Sequence, residues 1–524
     1  MPHNAPPSTT APTYNLLDEP WIPVGWTDSR PDLPENVGLR ELLLRSHEIA
    51  RIAVALPPAL SALYRILYAL TARITELDEA GPGDWGERRL DVVDRGQLEA
   101  GAVERVLGRY RPRFDLFDPQ RPFLQDPRLV EQCDSQNTAG VNKLITTRPS
   151  GNNHAWFRHV SDTAPDLPTC AEAAMHLLVW HYYGPSGRCS SRRVGTVEEA
   201  NAKAGPLRST LSYHPEGENL FETLLAGLPQ PASTVRRDHD QCPWEWDQLP
   251  DPKAAPPQLR GVCSELTARS QHALLLVPDE AGSGVRDAFI TWAYRDKIDR
   301  TGDPYLIWQT SKDGNPYPRP ADSARALWRD LDALLLKNPS GTAQPRRPTV
   351  FETASEVSEN LRARALGFEQ DGQAKDIQFV DASTPPVLGL REDREPLIAS
   401  EIGRLRAIGE GYGNRLERAA KKAWFLYTDA EKIADCTWAV DAAARYWPGA
   451  ETEFWRRLDH KDFEGAAKSF RTLAERVYQD VTASAVGTLR GAKACSQARA
   501  ELYTQHKPPA KAGKARQNLT VEDV

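Results

Sequence analysis

Between Ala59 and Leu77, Leu60, Leu63, Leu67, Leu70 and Ile74 recur at spacings of three and four, which predicts a helix with one continuous apolar stripe. A shorter helical stretch starts at Leu39 to Leu44, and another is expected near Gln97 to Arg109. Thr169 to Tyr182 predicts a compact helix. Thr169 with Glu172 three residues on has the pattern of a capping box, and Gly184 stands where a helix commonly stops. Around Asp18-Glu19-Pro20 the alternation of apolar and polar residues predicts a strand, a turn and a second strand. Phe114 to Leu124 reads as an aromatic-anchored turn, and Ser150 to Val160 has no periodicity and reads as a loop. From about Ser233 to Pro320 the runs turn short and β-like, as in Ala273 to Val277 and Ala288 to Ala293, with proline and glycine between them. Past Pro385 to Pro396 the pattern becomes helical again. Ile398, Ile402, Leu405 and Ile408 form one stripe, and Leu416, Ala420, Ala423, Trp424 and Tyr427 a second. Phe463, Ala466, Ala467, Phe470, Leu473, Val477 and Val481 form a third. The expected fold is α+β: a large mixed N-terminal domain with small sheets, then a C-terminal antiparallel helical bundle of four-helix type.

Composition sharpens this into segments. The 524 residues are 40% hydrophobic and 26% charged, the balance of a globular chain long enough for about three domains. Residues 1–13 read as a disordered arm, 14–390 as the large mixed domain, 391–504 as the bundle and 505–524 as a basic disordered tail. No apolar run reaches the ~18 residues of a membrane span, and the first residues lack the blocks of a secretory signal, so a cytoplasmic location is expected. Seven cysteines, none in a C-x-x-C arrangement, argue against a disulfide framework and a zinc ribbon.

Net charge is −7, so any grip on nucleic acid must come from local clusters of lysine and arginine. The usual P-loop, serine-hydrolase and zinc-protease signatures are missing. Arg236-Arg237-Asp238-His239-Asp240 could hold a metal, but a solvated loop is the simpler reading, and Glu245 and Asp247 around Trp246 make a poor carboxylate pair. No catalytic residue, metal or cofactor is expected.

Tyr14-Asn15-Leu16-Leu17-Asp18-Glu19-Pro20-Trp21-Ile22-Pro23-Val24 resembles the opening of the CasA family, the large subunits of the type I-E CRISPR Cascade complex. Phe114 to Leu124, Ser150 to Asn153, Asp303-Pro304-Tyr305 through Ser311 to Gly314, and Arg325 to Leu331 resemble the family's further blocks in the expected order. The resemblance implies a non-catalytic subunit of a crRNA-guided ribonucleoprotein in antiviral defence. Such a subunit recognises the protospacer-adjacent motif (PAM) of double-stranded DNA through the minor groove. It helps open the duplex into an R-loop and recruits the helicase–nuclease, while guide pairing reads the sequence. The implied partners are the other Cascade subunits, crRNA, target duplex and that nuclease. An alternative is an architectural subunit that anchors crRNA and recruits the nuclease without reading DNA.

Three segments resemble the family's DNA-contacting elements. Gly184-Pro185-Ser186-Gly187 would bring backbone close to the floor of a narrow groove, with Ser186 able to offer a hydroxyl; a plain helix C-cap and turn is the competing reading. Lys297 could donate to minor-groove acceptors, with Arg295 as the rival candidate. In Gln370-Asp371-Gly372-Gln373-Ala374, Gln373 resembles a wedge set on a tight turn, Gly372 allowing the turn and Ala374 leaving room for a base edge. Trp156-Phe157-Arg158-His159 resembles a loop reaching toward DNA and the guide's 5′ end. Arg188, Arg192, Arg193, Lys421 and Lys422 are further candidates for phosphate contact.

Overall fold

The computed structural model describes residues 12–28, 30–149, 164–298, 302–337, 345–371, 375–428 and 436–504. The chain divides into two compact units, Met1–Ser400 and Glu401–Val524.

The first unit is built around the helix Pro57–Thr75, in which every residue from Pro57 to Ile74 is buried. The apolar stripe marks the helix correctly, but the other faces are covered too, by the helices Cys170–Tyr183, Leu220–Ala226 and Val262–Thr267. Burial on all sides forces its polar residues to find internal partners. Arg65 forms a bidentate pair with Asp303 at 2.7 and 3.1 Å and lies 4.8 Å over the Tyr305 ring. Tyr64, Tyr68, His214 and Tyr305 stack around it, with ring centroids 4.8 to 6.0 Å apart.

The described residues of this unit carry five small sheets. β1 (Ile22–Trp26) lies between β2 (Asn36–Val37) and β3 (Ile49–Ile52). β4 (Gly187–Val194) pairs with β5 (Val197–Ala202), and β6 (Leu211–Glu216) forms the edge of a second three-stranded sheet. β7 (His272–Pro278) pairs with β8 (Val285–Trp292), and β9 (Trp308–Thr310) with β10 (Pro316–Pro318). β11 (Arg362–Asp371) and β12 (Lys375–Ser383) complete the sheet of β6, in the order β12-β11-β6, and all the pairings are antiparallel.

The opening motif departs from the strand–turn–strand expectation. Asn15 bridges to Asp115, a turn follows, and β1 finds its partners downstream rather than within residues 15–24. Leu16, Leu17, Trp21 and Ile22 are buried, and Trp21 Nε1 donates to the Leu16 carbonyl. The motif therefore knots the N-terminal segment to the aromatic turn, where Phe114 stacks with Phe123 and Trp244. All seven cysteines are free, six of them buried.

In the second unit, the helices Thr437–Asp459, Ala466–Val486 and Leu489–Arg499 follow the helix Pro396–Thr428. Ile402, Leu405, Leu416, Phe470, Val477 and Val481 of the expected stripes are buried, while Phe463 precedes its helix and Ala467 is exposed. Arg457 closes the connection between two helices, donating to Glu453, Ser469 and the Glu464 carbonyl at 2.6 to 2.7 Å. The architecture is the α+β one anticipated: a mixed domain with small antiparallel sheets, then several helices.

Candidate nucleic-acid interface

The helix Cys170–Tyr183 sets up the turn that follows it. Thr169 Oγ1 accepts from the Glu172 N–H at 3.1 Å at the N-terminus, while Glu172 itself pairs with Arg148 at 3.4 Å. At the other end the Gly184 N–H reaches the Trp180 carbonyl at 3.2 Å. Gly184 is buried. A Cβ there would stand 2.6 Å from the His272 ring carbon and 2.6 Å from the Trp180 carbonyl oxygen. Glycine at 184 thus serves close internal packing. Ser186 is half-buried and Gly187 exposed, so the surface of the turn lies at these two positions. Gly187 has φ +121° with open space around it, a backbone state L-residues rarely adopt.

His272, at the start of β7, props this turn. Its Nε2 donates to the Pro185 carbonyl at 3.0 Å, and its ring meets Trp180 edge-on at 5.4 Å. Burial pushes the imidazole down to about 4, the Pro185 carbonyl opposing and nearby cations including Lys143 and Arg208 adding to the shift. It is neutral near pH 7.

The segment 201–209 joins the turn to two other candidate elements. Gly205 N–H donates to the Gly184 carbonyl at 2.8 Å, and Ala202 lies opposite Gly187 in the β4–β5 ladder. Lys203 Nζ holds the Arg295 carbonyl, two residues before Lys297. Arg208, itself buried, reaches the Tyr183 carbonyl at 3.3 Å and pairs with Asp376 of β12 at 2.9 Å. Ser209 N–H donates to Gln370 of β11 at 2.6 Å, and Gln370 donates on to Asp376. One short connection therefore ties together the turn at 184–187, the loop of Lys297 and the connecting end of the β11–β12 hairpin, at Gln370 and Asp376.

Gly372, Gln373 and Ala374 lie outside the described residues, as do Trp156, Phe157, Arg158 and His159. The strands leading into and out of 372–374 are described, and Gln370 and Asp371 belong to the first of them, paired with Asp376 and Lys375. Lys297 is exposed, and among the described residues no carboxylate pairs with it. Arg295, its rival, is committed elsewhere: it lies 5.3 Å over the Trp292 ring and pairs with Glu199 at 3.5 Å.

A family model described as CRISPR-associated protein Cse1 matches residues 15–504. A CRISPR-associated protein CasA/Cse1 of Thermus thermophilus is 31% identical over 429 residues, 78% of each chain. The chain belongs to the Cse1 family. A chain from a solved structure described as a CRISPR RNA-guided surveillance complex is 39% identical, covers 94% of this chain and all of its own length, and superposes with a TM-score of 0.86. Thermus thermophilus CasA (Cse1), at 24% identity, covers 94% of this chain and 99% of its own, with a TM-score of 0.72, and supports the fold.

For this Cse1 family member the remaining basic candidates separate cleanly. Arg188 is exposed, and its carbonyl accepts from Lys143 Nζ at 3.1 Å. Burial lowers the Lys143 amine, Cys189 opposes, and the neighbouring Arg188 charge lowers it further. Arg192 cannot be a phosphate contact. It is fully buried and bonded to Asp126, Gln132 and the Trp292 carbonyl at 2.6 to 2.9 Å. Arg193 pairs with Glu198, Lys421 with Glu417 and Lys422 with Glu501.

The weak catalytic candidates are structural. Asp240 is buried rather than solvated, and its carboxylate accepts from the Cys263 and Ser264 N–H groups at 3.1 and 2.7 Å. Glu245 pairs with Arg73 at 2.8 Å. Among the described residues no three histidine, cysteine or acidic side chains gather as a metal site. His272, Lys203, Gly205 and Arg208 were not singled out from the sequence. Each acts through a partner distant along the chain, and the Gly205-Pro206 turn dipeptide is the one local signal near them.

Proposed function

We propose that this chain is the large subunit of a crRNA-guided, type I-E Cascade-like surveillance complex, and that it reads the PAM of duplex DNA from the minor groove. Ser186 and Gly187 present the turn, Gly184 and His272 position it, and Lys297 supplies the cation. Gly372, Gln373 and Ala374 at the hairpin connection form the wedge that starts the R-loop, and the loop 156–159 contacts DNA or the guide. Other Cascade subunits, crRNA and a recruited helicase–nuclease are the partners. The chain itself cuts nothing and works in the cytoplasm.

The observation that carries this reading is convergence. Three segments separated by about a hundred and by about seventy-five residues meet through 201–209, and their chemistry is what a groove reader with a wedge requires. The similarity to a chain of an RNA-guided surveillance complex over its whole length supports the assembly. Negative supercoiling lowers the cost of strand opening. Gln373→Ala is therefore expected to slow R-loop formation on linear targets far more than on negatively supercoiled ones. Equal loss on both, or none, removes the wedge.

One observation favours the architectural alternative: internal packing against His272 and the Trp180 carbonyl is enough to account for Gly184. Crosslinking of PAM duplex to Lys297 or Gln373 decides against that alternative.

A further inference from the structure

Among the described residues β12 is an edge strand, bonded to β11 on one side only. Between Glu369 and Gln370 the ladder slips by one residue, so that Gln378 faces Glu369, Asp376 faces Gln370, and Ile377 is left without a cross-strand partner. Bulges of this kind re-aim side chains and gather beside functional sites. Ile377 is 53% exposed and Phe379, two residues on, 36% exposed. Phe379 is not a stray surface residue. Its ring packs on Phe368 at 4.6 Å, and Phe368 meets Tyr183 edge-on at 5.8 Å, immediately before the turn at 184–187. One side of the Phe379 side chain is anchored in the core and the other is open.

The charge on this strand also matters. Asp376 is neutralised by Arg208 at 2.9 Å and Asp381 by Arg364 at 2.9 Å, both arginines reaching out from inside the unit. Glu369, on the neighbouring strand, accepts from the Ser323 N–H. The exposed part of β12 thus offers an aromatic and an aliphatic side chain with its two aspartates already paired, which suits the π-face of a nucleobase on a polyanionic strand.

We infer that Phe379 and Ile377 receive the first base unstacked when the duplex opens, so that the hairpin holds a separated strand as well as parting it. The inference rests on the duplex-opening reading above and assigns that activity a second contact. An opened pair re-closes unless a base is captured, and stacking on a fixed aromatic supplies the capture.

The test uses the assembled crRNA complex and targets carrying 5-iodouracil at the first positions beyond the PAM on either strand. Light-induced crosslinks, mapped by mass spectrometry, are expected on Phe379. Phe379→Leu keeps an apolar side chain against Phe368 and removes the aromatic face. It should abolish the crosslink and slow R-loop formation about tenfold, while Phe379→Tyr restores both. On a target already opened by a mismatched bubble no pair can re-close, so both rate deficits should shrink, but the crosslink should stay lost in Phe379→Leu and remain in Gln373→Ala. Wild-type crosslinks elsewhere, or a silent Phe379→Leu beside an impaired Gln373→Ala, overturn the inference and leave the wedge standing. A silent Gln373→Ala beside an impaired Phe379→Leu removes the wedge and upholds the base contact. Failed subunit assembly in Phe379→Leu, beside wild-type crosslinks that map away from β12, overturns the inference by marking β12 as a protein contact.

Discussion

An alanine methyl at position 184 would press on the His272 ring and on the Trp180 carbonyl oxygen, one of them backbone that cannot swing aside. Overpacking of this kind costs about 1–3 kcal/mol, so Gly184→Ala is expected to lower the melting temperature and to weaken PAM-duplex binding as a consequence. Lys297 is exposed and away from such packing, so Lys297→Ala should change stability by no more than about 0.5 kcal/mol while lowering affinity for PAM duplex. Melting curves and duplex titrations on both variants separate the two roles. A Lys297→Ala complex that melts early, or a Gly184→Ala protein as stable as the parent, contradicts this division. Sequence marked both residues but could not tell them apart. Gly184 is answered by a histidine 88 positions downstream, and only the fold brings that ring against the turn.

At the scale of elements, the legible parts were those whose pattern is local. The helix expected from Thr169 begins with Thr169 as its cap and ends before Gly184, and the helix found by leucine spacing is Pro57–Thr75. The β-like runs at 273–277 and 288–293 became β7 and β8. What stayed hidden was the pair of long strands, β11 and β12, on either side of the turn expected at Gly372, because Arg362 to Ser383 mixes charged and apolar residues without sustained alternation. Its arginines face carboxylates on other strands, as Arg364 does with Glu216 at 2.9 Å and Asp381 at 2.9 Å. The same cross-strand logic gives Arg208 its importance. Replacing it by methionine keeps length and apolar bulk but unties the Tyr183 carbonyl from Asp376, at a cost of about 1.5–3 kcal/mol for a charged hydrogen bond. Hydrogen exchange should then quicken along β11 and β12, and PAM-dependent R-loop formation should fall although assembly with crRNA persists. Unchanged exchange in the hairpin would mean that Arg208 does not hold it.

Across the molecule, buried ionisable groups set how the first unit answers acid. His176, His181 and His272 are each pushed by burial down to about 4, and His214 is driven well below its usual range in the same way. Each is neutral when folded and takes a proton near pH 6.5 once unfolded. Between those values the unfolded chain binds more protons than the folded one, so stability is full above about pH 6.5 and declines as pH falls toward 4. Asp126, Asp303 and Asp330 act in a lower window. Burial alone would raise them, but Arg128 and Arg192, Arg65, and Arg325 with Arg319 hold them below the ordinary carboxylate value, so their contribution is lost only as pH drops under about 3.8. Acidification should therefore act first through histidines, and the melting temperature should hold down to about pH 6.5 and then fall steadily to pH 4.5, rather than stay on a plateau ending near 4. His272→Gln keeps a side-chain N–H for the Pro185 carbonyl and removes one titrating group, so its melting temperature should decline less steeply across that range. Because His272 also carries the turn and its ring stays neutral in the folded protein until about pH 4, PAM-duplex affinity in the parent should hold across most of that window and fall only as pH nears 4. A flat melting profile from pH 7.5 to 5, or an unaltered slope in His272→Gln, would show that these rings are not held neutral in the folded protein.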